Sequence, residues 1–563
     1  GVNLKLLYLS EKEITGDIEP GLYEKLDAIY QFTFGERYQD GTVTLMKPER
    51  LWWKEAVVYQ IYPRSFKDSN GDGIGDFQGI IRRLDYIRDL GCNAIWMNPC
   101  FESSFHDAGY DVTDYYQAAP RYGTNEDLKQ LFDEVHRRGM HILLDLVPGH
   151  TSVESPWFKA SCSLEENEYS NRYIWTNDMM WAKEKIPGIN NWLFGISDRA
   201  SAVAVNCFST QPALNYGFGT VTAPWQFSAD SEEAQKGRLI LQDIMSFWLD
   251  LGCDGFRVDM AASLVKADPD HHYTKLLWQK VRAFLDEKYP EAALVSEWGD
   301  PKEALEAGFH MDFLLHNGPT HYMDLFRETP YFSKKGDGDI SEFVKAYLEH
   351  YNRTNGKGLC CIPSSNHDMK RMHHLLDEEE MKIAFAFLLT MPGCPFIYYG
   401  DEIGMRYMDG MPSKEGGYDR TGSRTPMQWD HSANAGFSSA APANLYLPID
   451  PNENRPTVEK QLADPDSLLN LIKALTRLRS EHPALLSGSD IRFLYAEPHA
   501  FPFVYERLHE TETLTIILNP SANEASCPLE TNPGEVIFSY GGDAKWETGT
   551  LTVPKCSFTI CRR

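Results

Sequence analysis

HILLDLV, residues 141–147, is a short apolar run broken by one acid, with Gly139 before it and Pro148-Gly149 after it. A run this short and apolar, without polar alternation, reads as a strand covered on both faces, the habit of parallel sheets. Similar runs recur on either side: AVVYQIY (56–62), NAIWMNP (93–99), GFRVDMA (255–261), ALVSEW (293–298), FLLHN (313–317), LCCIPSS (359–365) and PFIYYG (395–400). Helical periodicity separates several of them, as in FQGIIRRLDYIRDLG (77–91) and NEDLKQLFDEVHRRG (125–139). Strand and helix in alternation give an α/β fold, and eight parallel strands are the number that closes a (β/α)8 barrel.

The spacing then divides the chain. The stretch between HILLDLV and GFRVDMA is too long for one helix, and its first two-thirds are polar and rich in Gly, Pro and Trp. Residues 149–215 therefore read as an inserted domain after the third strand, and QKGRLILQDIMSFWLDLG (235–252) as the barrel helix. The barrel takes residues 51–148 and 216–487, with a Gly-, Pro- and Asn-rich loop insertion over about 405–460. Beyond 488 the alternating runs FPFVYERL, LTIILN, EVIFSY and LTVPKCSFTI predict a C-terminal antiparallel β-sandwich. Residues 1–50 match no pattern.

Composition narrows the partners. The 563 residues are 42% hydrophobic, enough for a large core, and carry 81 acidic against 54 basic side chains, a net charge of -27. That sign repels phosphate backbones and anionic lipid, so a small molecule is expected rather than nucleic acid or a membrane; simple solubility accounts for the acidity. No run approaches the roughly 18 apolar residues of a membrane span, and GVNLKLLYLSEKEITGD at the N-terminus shows no leader-like apolar core. The 11 cysteines are odd in number, and Cys92, Cys253, Cys360, Cys361 and Cys394 sit in apolar runs. They read as buried reduced thiols, and the expected compartment is the cytoplasm. The oligomeric state is left open.

Reactive groups of such a barrel collect at the C-terminal ends of its strands. Those ends offer Asp145 and His150 after the third strand, Arg257 and Asp259 on the fourth, Glu297 on the fifth, and Asn366, His367 and Asp368 after the seventh. Cleaving an acetal needs one carboxyl protonated, to release the leaving group, and another ionised, to attack the anomeric carbon. Neighbouring carboxylates cannot all stay charged cheaply, so one pKa is pushed up. Glu297, between Ser296 and Trp298 without a basic neighbour, is the natural proton carrier; Asp259, two residues from Arg257 on the same strand face, is the natural anion.

The stretches VYQIYPRSF, DLVPGH, GFRVD, SEW, SSNHD, PFIYYGDEIGM and RTPMQWD, in that order, resemble the α-amylase family of retaining glycosidases, glycoside hydrolase family 13, over roughly residues 51–563. The resemblance is nearest to exo-acting α-glucosidases, oligo-1,6-glucosidases and trehalose synthases. It implies Asp259 as nucleophile, Glu297 as acid/base and Asp368 as the group that steadies the transition state and binds sugar hydroxyls. It also implies that Arg257 keeps the nucleophile ionised and that His150 and His367 bond hydroxyls of the sugar being cleaved. Asp107-Ala108-Gly109-Tyr110 resembles the segment that supplies an Asp and an aromatic platform for a terminal glucose, and Arg424 resembles its charged partner; such a pair would close the pocket and favour short substrates. Arg371 is a weaker candidate for the pocket mouth.

Asp68, Asn70, Asp72, Gly73, Ile74 and Asp76 have the alternate-oxygen spacing of a calcium loop, though Gly79 stands where a bidentate Glu would end one. Similar loops in exo-acting members bind structural Ca2+, so a calcium ion is expected here, with no cofactor for catalysis. Gly149 replaces an Asn that supports a different family calcium site, between barrel and insert, which is expected to be lost. Met260 follows the nucleophile and does not fix the linkage.

The leading expectation is a retaining hydrolase acting on short α-glucosides from the non-reducing end through a covalent glucosyl-enzyme. The alternative is a trehalose synthase-like isomerase or transglucosidase, which the segment NAGFSSAAPANLYLP from Asn434 resembles equally. A non-catalytic carbohydrate-binding relative is the third reading, and the intact Asp259, Glu297 and Asp368 argue against it.

Overall fold

The computed structural model describes residues 51–177 and 185–563; the N-terminal extension lies outside them. Eight parallel strands close a barrel: β1 (Val58–Ile61), β2 (Ala94–Met97), β3 (His141–Leu146), β4 (Gly255–Val258), β5 (Ala293–Ser296), β6 (Met311–Phe313), β7 (Leu359–Pro363) and β8 (Cys394–Tyr398), with β8 pairing back to β1. Nearly every strand residue is buried, as the unbroken apolar runs require when helices cover one face and side-chain layers the other.

Seven strands fall within the runs read from sequence or a residue from them. The sixth begins earlier, at Met311 rather than Phe313, because the ladder is carried by Met311 against Val295 and Leu359 and by Asp312 against Ser296. Asp312, a fully buried carboxyl, hid the start of the strand by interrupting its apolar pattern.

Helix Asn125–Arg137 shows why the intervening segments are helical: Thr124 and Asp127 form a reciprocal capping box, and Leu128, Leu131, Phe132 and Val135 bury one face. The stretch expected as one helix over 77–91 is two, Phe77–Arg82 and Leu84–Leu90, broken at Arg83, whose guanidinium lies 4.1 Å over the Trp429 ring.

The insert after β3 holds a helix, Pro156–Ser161, and an antiparallel hairpin, Asn191–Phe194 with Ala202–Val205. Its small core joins Ile174, Ala204 and Ala213 to Phe218, with Trp225 packed against it. Phe218 and Trp225, which follow residue 215 in the chain, pack into this core. Barrel helix Glu232–Leu251 follows, capped by Ser231.

The C-terminal domain is two antiparallel sheets. Strands Asp490–Tyr495, Phe503–His509, Glu512–Asn519, Glu535–Tyr540 and Ser557–Arg562 form the larger; Ala525–Pro528, Lys545–Glu547 and Thr550–Val553 form the smaller. Val504, Ile517 and Cys561 of one sheet pack with Cys527, Leu551 and Val553 of the other, the core of a sandwich.

Candidate active site

Arg257 organises the mouth of the barrel. It is the third residue of β4, buried at 2% exposure, with its guanidinium 4.9 Å over the Trp96 ring. Its Nη1 donates to Asp145 Oδ1 and to Asp259 Oδ1, each at 3.0 Å, and its Nη2 lies 3.1 Å from Glu297 Oε2. The ladder explains the meeting, since Asp145 pairs with Arg257 across β3–β4, and Asp259 and Glu297 each follow the last residue of adjacent strands.

One buried cation thus faces three acids. Burial pushes Glu297 up to about 8; Arg257 opposes the rise, and Asp259 and Asp368 add to it. Asp259 rises to about 6, again through burial, with Arg257 restraining it. Glu297, with the higher pKa, keeps its proton near neutral pH, leaving Asp259 the anion. Met260 N–H donates at 3.0 Å to Glu297 Oε2, the oxygen that also faces Arg257.

Asp368 is the other anion. Burial would raise it, but His367, Arg420, Arg424 and Arg257 outweigh burial and hold it well below the usual carboxylate range. Burial drives the His367 imidazole itself well below its ordinary pKa. The permanent charges on Asp368 Oδ1 are therefore Arg420 Nη1 at 2.5 Å and Arg424 Nη2 at 3.5 Å.

These groups line one cavity of about 360 Å3 with Asp107, Tyr110, His150, Cys207, Phe208, Met260, His316, Asn317 and His367. Every residue assigned to catalysis or substrate in the sequence is therefore in it or, for Arg257, directly behind it.

The wiring differs from expectation in four places. Arg424 makes no direct ion pair with Asp107, though their charges act on each other: its Nε donates to the His367 carbonyl at 2.9 Å and its Nη2 to Asp368 Oδ1 at 3.5 Å, while Asp107 Oδ2 accepts from Gln211 Nε2 at 2.7 Å. Burial lifts Asp107 to about 7. His150 has both ring nitrogens committed, Nε2 to the Tyr110 carbonyl at 2.9 Å and Nδ1 to Asn206 Nδ2 at 3.0 Å. Bonding a sugar hydroxyl would replace one of these bonds. Tyr110 is a wall more than a platform, since one ring face stacks on His367 at 5.4 Å and its hydroxyl donates to Asp145 at 2.9 Å. Arg371 is fully buried on the Tyr399 carbonyl and Asp401, away from the pocket.

Residues the sequence reading missed are Arg420, Gln211, Phe208 and Cys207. Arg420 had one signal, a second basic residue four positions before Arg424 in the same loop; the others lie in the irregular end of the insert, where no periodicity marks a wall. Phe208 stacks on Tyr418 at 5.8 Å and so ties the insert to the 405–460 loop beside the cavity.

The candidate calcium loop is a chain of turns. Asn70 N–H donates to Asp68, Asp72 N–H to Asn70 and Ile74 N–H to Asp72, while Asp76 caps the following helix through Gly79 N–H. Among the described residues no cluster of three or more His, Cys, Asp or Glu side chains is arranged as a ready metal site. The donor set is nevertheless all oxygen, and burial raises Asp72, with the neighbouring acids Asp68 and Asp76 adding to the rise. That chemistry fits a hard divalent cation. At the junction marked by Gly149, Asn206 Nδ2 donates to the Gly149 carbonyl at 3.0 Å, and the buried ammonium of Lys266 donates to the Ser263 carbonyl at 2.7 Å and to Asn206 Oδ1 at 3.4 Å.

Comparison with known proteins agrees with this geometry. The alpha amylase catalytic domain model matches residues 60–488. The chain is 32% identical to the oligo-1,6-glucosidase of Parageobacillus thermoglucosidasius, over 87% of this chain and 93% of that one. It is 31% identical to the trehalose synthase/amylase TreS of Mycolicibacterium smegmatis, over 83% and 82%. The trehalulose synthase MutB of Pseudomonas mesoacidophila MX-45 superposes with a TM-score of 0.77 at 25% identity, covering 92% of this chain and all of that one. With its barrel, its strand-end acids and a family match over most of its length, the chain belongs to the α-amylase family, glycoside hydrolase family 13, and is a glycoside hydrolase enzyme.

Proposed function

We propose that this enzyme cleaves α-glucosidic bonds of short α-gluco-oligosaccharides or disaccharides from the non-reducing end, with retention, through a glucosyl-enzyme. The observation that carries the proposal is one guanidinium bridging the two carboxyls, with Arg257 Nη1 3.0 Å from Asp259 Oδ1 and Nη2 3.1 Å from Glu297 Oε2. Retaining pairs stand about 5–5.5 Å apart, whereas inverting pairs need about 6.5–9.5 Å to admit a water. Two carboxyls held by the two terminal nitrogens of one guanidinium fit the narrow class.

In the first step Asp259 attacks the anomeric carbon from below as Glu297 gives its proton to the departing oxygen. In the second, Glu297, now ionised, takes a proton from the acceptor, and the acceptor oxygen displaces Asp259. Asp368, kept anionic by Arg420 and Arg424, accepts hydroxyls of the same ring. The cavity volume lies at the low end of the small-molecule range of about 300–1,000 Å3, which supports short substrates.

A second reading, isomerisation or transglucosylation with the same acids, has its own support. Phe208 lines the cavity and stacks on Tyr418, an aromatic surface for a sugar acceptor, and relatives include proteins named trehalose synthase and a trehalulose synthase, MutB, solved with sucrose. The choice depends on whether water or sugar intercepts the glucosyl-enzyme. Incubation with maltose, isomaltose, sucrose and trehalose, followed by NMR of anomeric protons, should show α-glucose appearing before its β-anomer. Rearranged disaccharide with little glucose would select the isomerase; β-glucose first would refute retention.

As part of the same proposal, Asp68, Asn70, Asp72, Asp76 and the Ile74 carbonyl hold a structural calcium ion that stiffens the loop before the first barrel helix. Chelation should lower Tm by several degrees, since a ligand that binds only the folded state stabilises it by RT ln(1 + [L]/Kd). Calcium should restore Tm while kcat at 25 °C stays unchanged; a Tm indifferent to chelator would remove the ion from the account. All 11 cysteines are unpaired, which supports a reducing compartment such as the cytoplasm. No helix of the described residues is long and apolar enough to cross a membrane.

A further inference from the structure

Asp312 belongs to no motif, yet its carboxyl is bonded on both sides of Glu297. It lies in the middle of β6, fully buried, opposite Ser296 of β5. Its Oδ1 accepts from Ser296 Oγ at 2.8 Å, from Trp298 N–H at 3.0 Å and from Gly299 N–H at 3.4 Å. Those donors precede and follow Glu297 in the chain.

The backbone needs this support because the sheet is ending. Towards β4, Glu297 still has partners, its N–H donating to the Val258 carbonyl and its carbonyl accepting from Ala261 N–H. Towards β6 the ladder stops at the Asp312–Ser296 pair. The Asp312 side chain supplies the next rung, so the residue that must aim a proton is held from both neighbouring strands.

The clamp costs stability elsewhere: Asp312 Oδ2 is buried with no partner. A half-satisfied buried acid is disfavoured against an apolar residue of similar size. Burial raises Asp312 to about 7, with the Ser296, Trp298 and Gly299 bonds pulling it back, so near neutral pH it adds less than a full charge beside Glu297.

We propose that Asp312 is a positioning residue for Glu297, clamping the main chain before and after the proton carrier so that its carboxyl faces the leaving oxygen. The proposal rests on the reading of Glu297 as acid/base.

The test compares kcat/KM for maltose (or whichever disaccharide NMR shows to be turned over), whose leaving alcohol needs a proton, with 4-nitrophenyl α-glucoside, whose phenolate departs with little help. The ratio kcat/KM reports only steps up to formation of the glucosyl-enzyme. Asp312→Ala removes all three bonds and should lower the maltose value by about 30- to 100-fold, within the reach of general-acid catalysis, and the nitrophenyl value by less than about 3-fold. Asp312→Asn keeps an acceptor oxygen and should recover maltose activity to within about 5-fold of the parent. Equal losses on both substrates, or no loss on either, overturn the proposal.

Should Asp312→Ala fail to fold, Ser296→Ala, which removes one bond of the three, decides instead. A selective loss of about 3- to 10-fold on maltose supports the clamp, and an unchanged substrate ratio overturns it. Glu297→Gln in the same assay keeps the two failures apart: if that variant shows no preference for the nitrophenyl substrate, the acid/base assignment is what has failed.

Discussion

Asp259→Asn should lower kcat by at least about 10^4-fold, the scale on which removal of a nucleophile acts, with the fold intact. The amide is nearly isosteric and keeps an oxygen for Arg257 Nη1, so packing around the buried guanidinium is preserved. What is lost is the negative charge and lone pair that attack the anomeric carbon. Circular dichroism and Tm should match the parent, and single-turnover assays should show no trapped glucosyl-enzyme. Asp259→Gly opens a stronger check, because azide can then enter from below the ring and return β-glucosyl azide. An Asp259→Asn variant within about 10-fold of the parent would remove Asp259 from the chemistry.

The same substitution has a consequence for its neighbour. Asp259 is among the charges that raise Glu297, after burial itself. With a neutral amide at 259 the Glu297 carboxyl should titrate lower, and any residual activity should lose its alkaline limb at a lower pH than in the parent.

The barrel was legible because its strands are short apolar runs at regular spacing, and the acids because strand ends are where such a barrel keeps its chemistry. Where the sequence was silent, tertiary geometry was responsible. Asp312 looked like a break in an apolar run, whereas across the ladder it is a bonding partner. Sequence places Asp107 and Arg424 at one pocket but cannot name their direct partners, which are Gln211 for Asp107 and Asp368 for Arg424. Arg420 is carried to Asp368 by a loop without period, pinned in part by the Arg121–Glu415 ion pair at 2.9 Å. Phe218 and Trp225 follow the insert in the chain yet pack into its core, a contact that no local sequence pattern announces.

Glu297→Gln should show a different signature, one that depends on the substrate. An amide cannot supply the proton, so kcat/KM on maltose, or on the disaccharide turned over, should fall by about 10^3-fold, while 4-nitrophenyl α-glucoside should lose less than about 10-fold. The pH profile gives an independent reading. Glu297 is raised to about 8 and acts while protonated, so activity is present below that pH and lost as pH rises through it. Asp259 lies near 6 and acts while ionised, so activity is lost as pH falls through that value. The parent should therefore give a bell in kcat/KM with limbs near 6 and 8. In Glu297→Gln the alkaline limb should vanish and the acidic one remain. If the alkaline limb survives, the proton comes from another group, and the roles given to the two carboxyls on Arg257 would have to be reassigned.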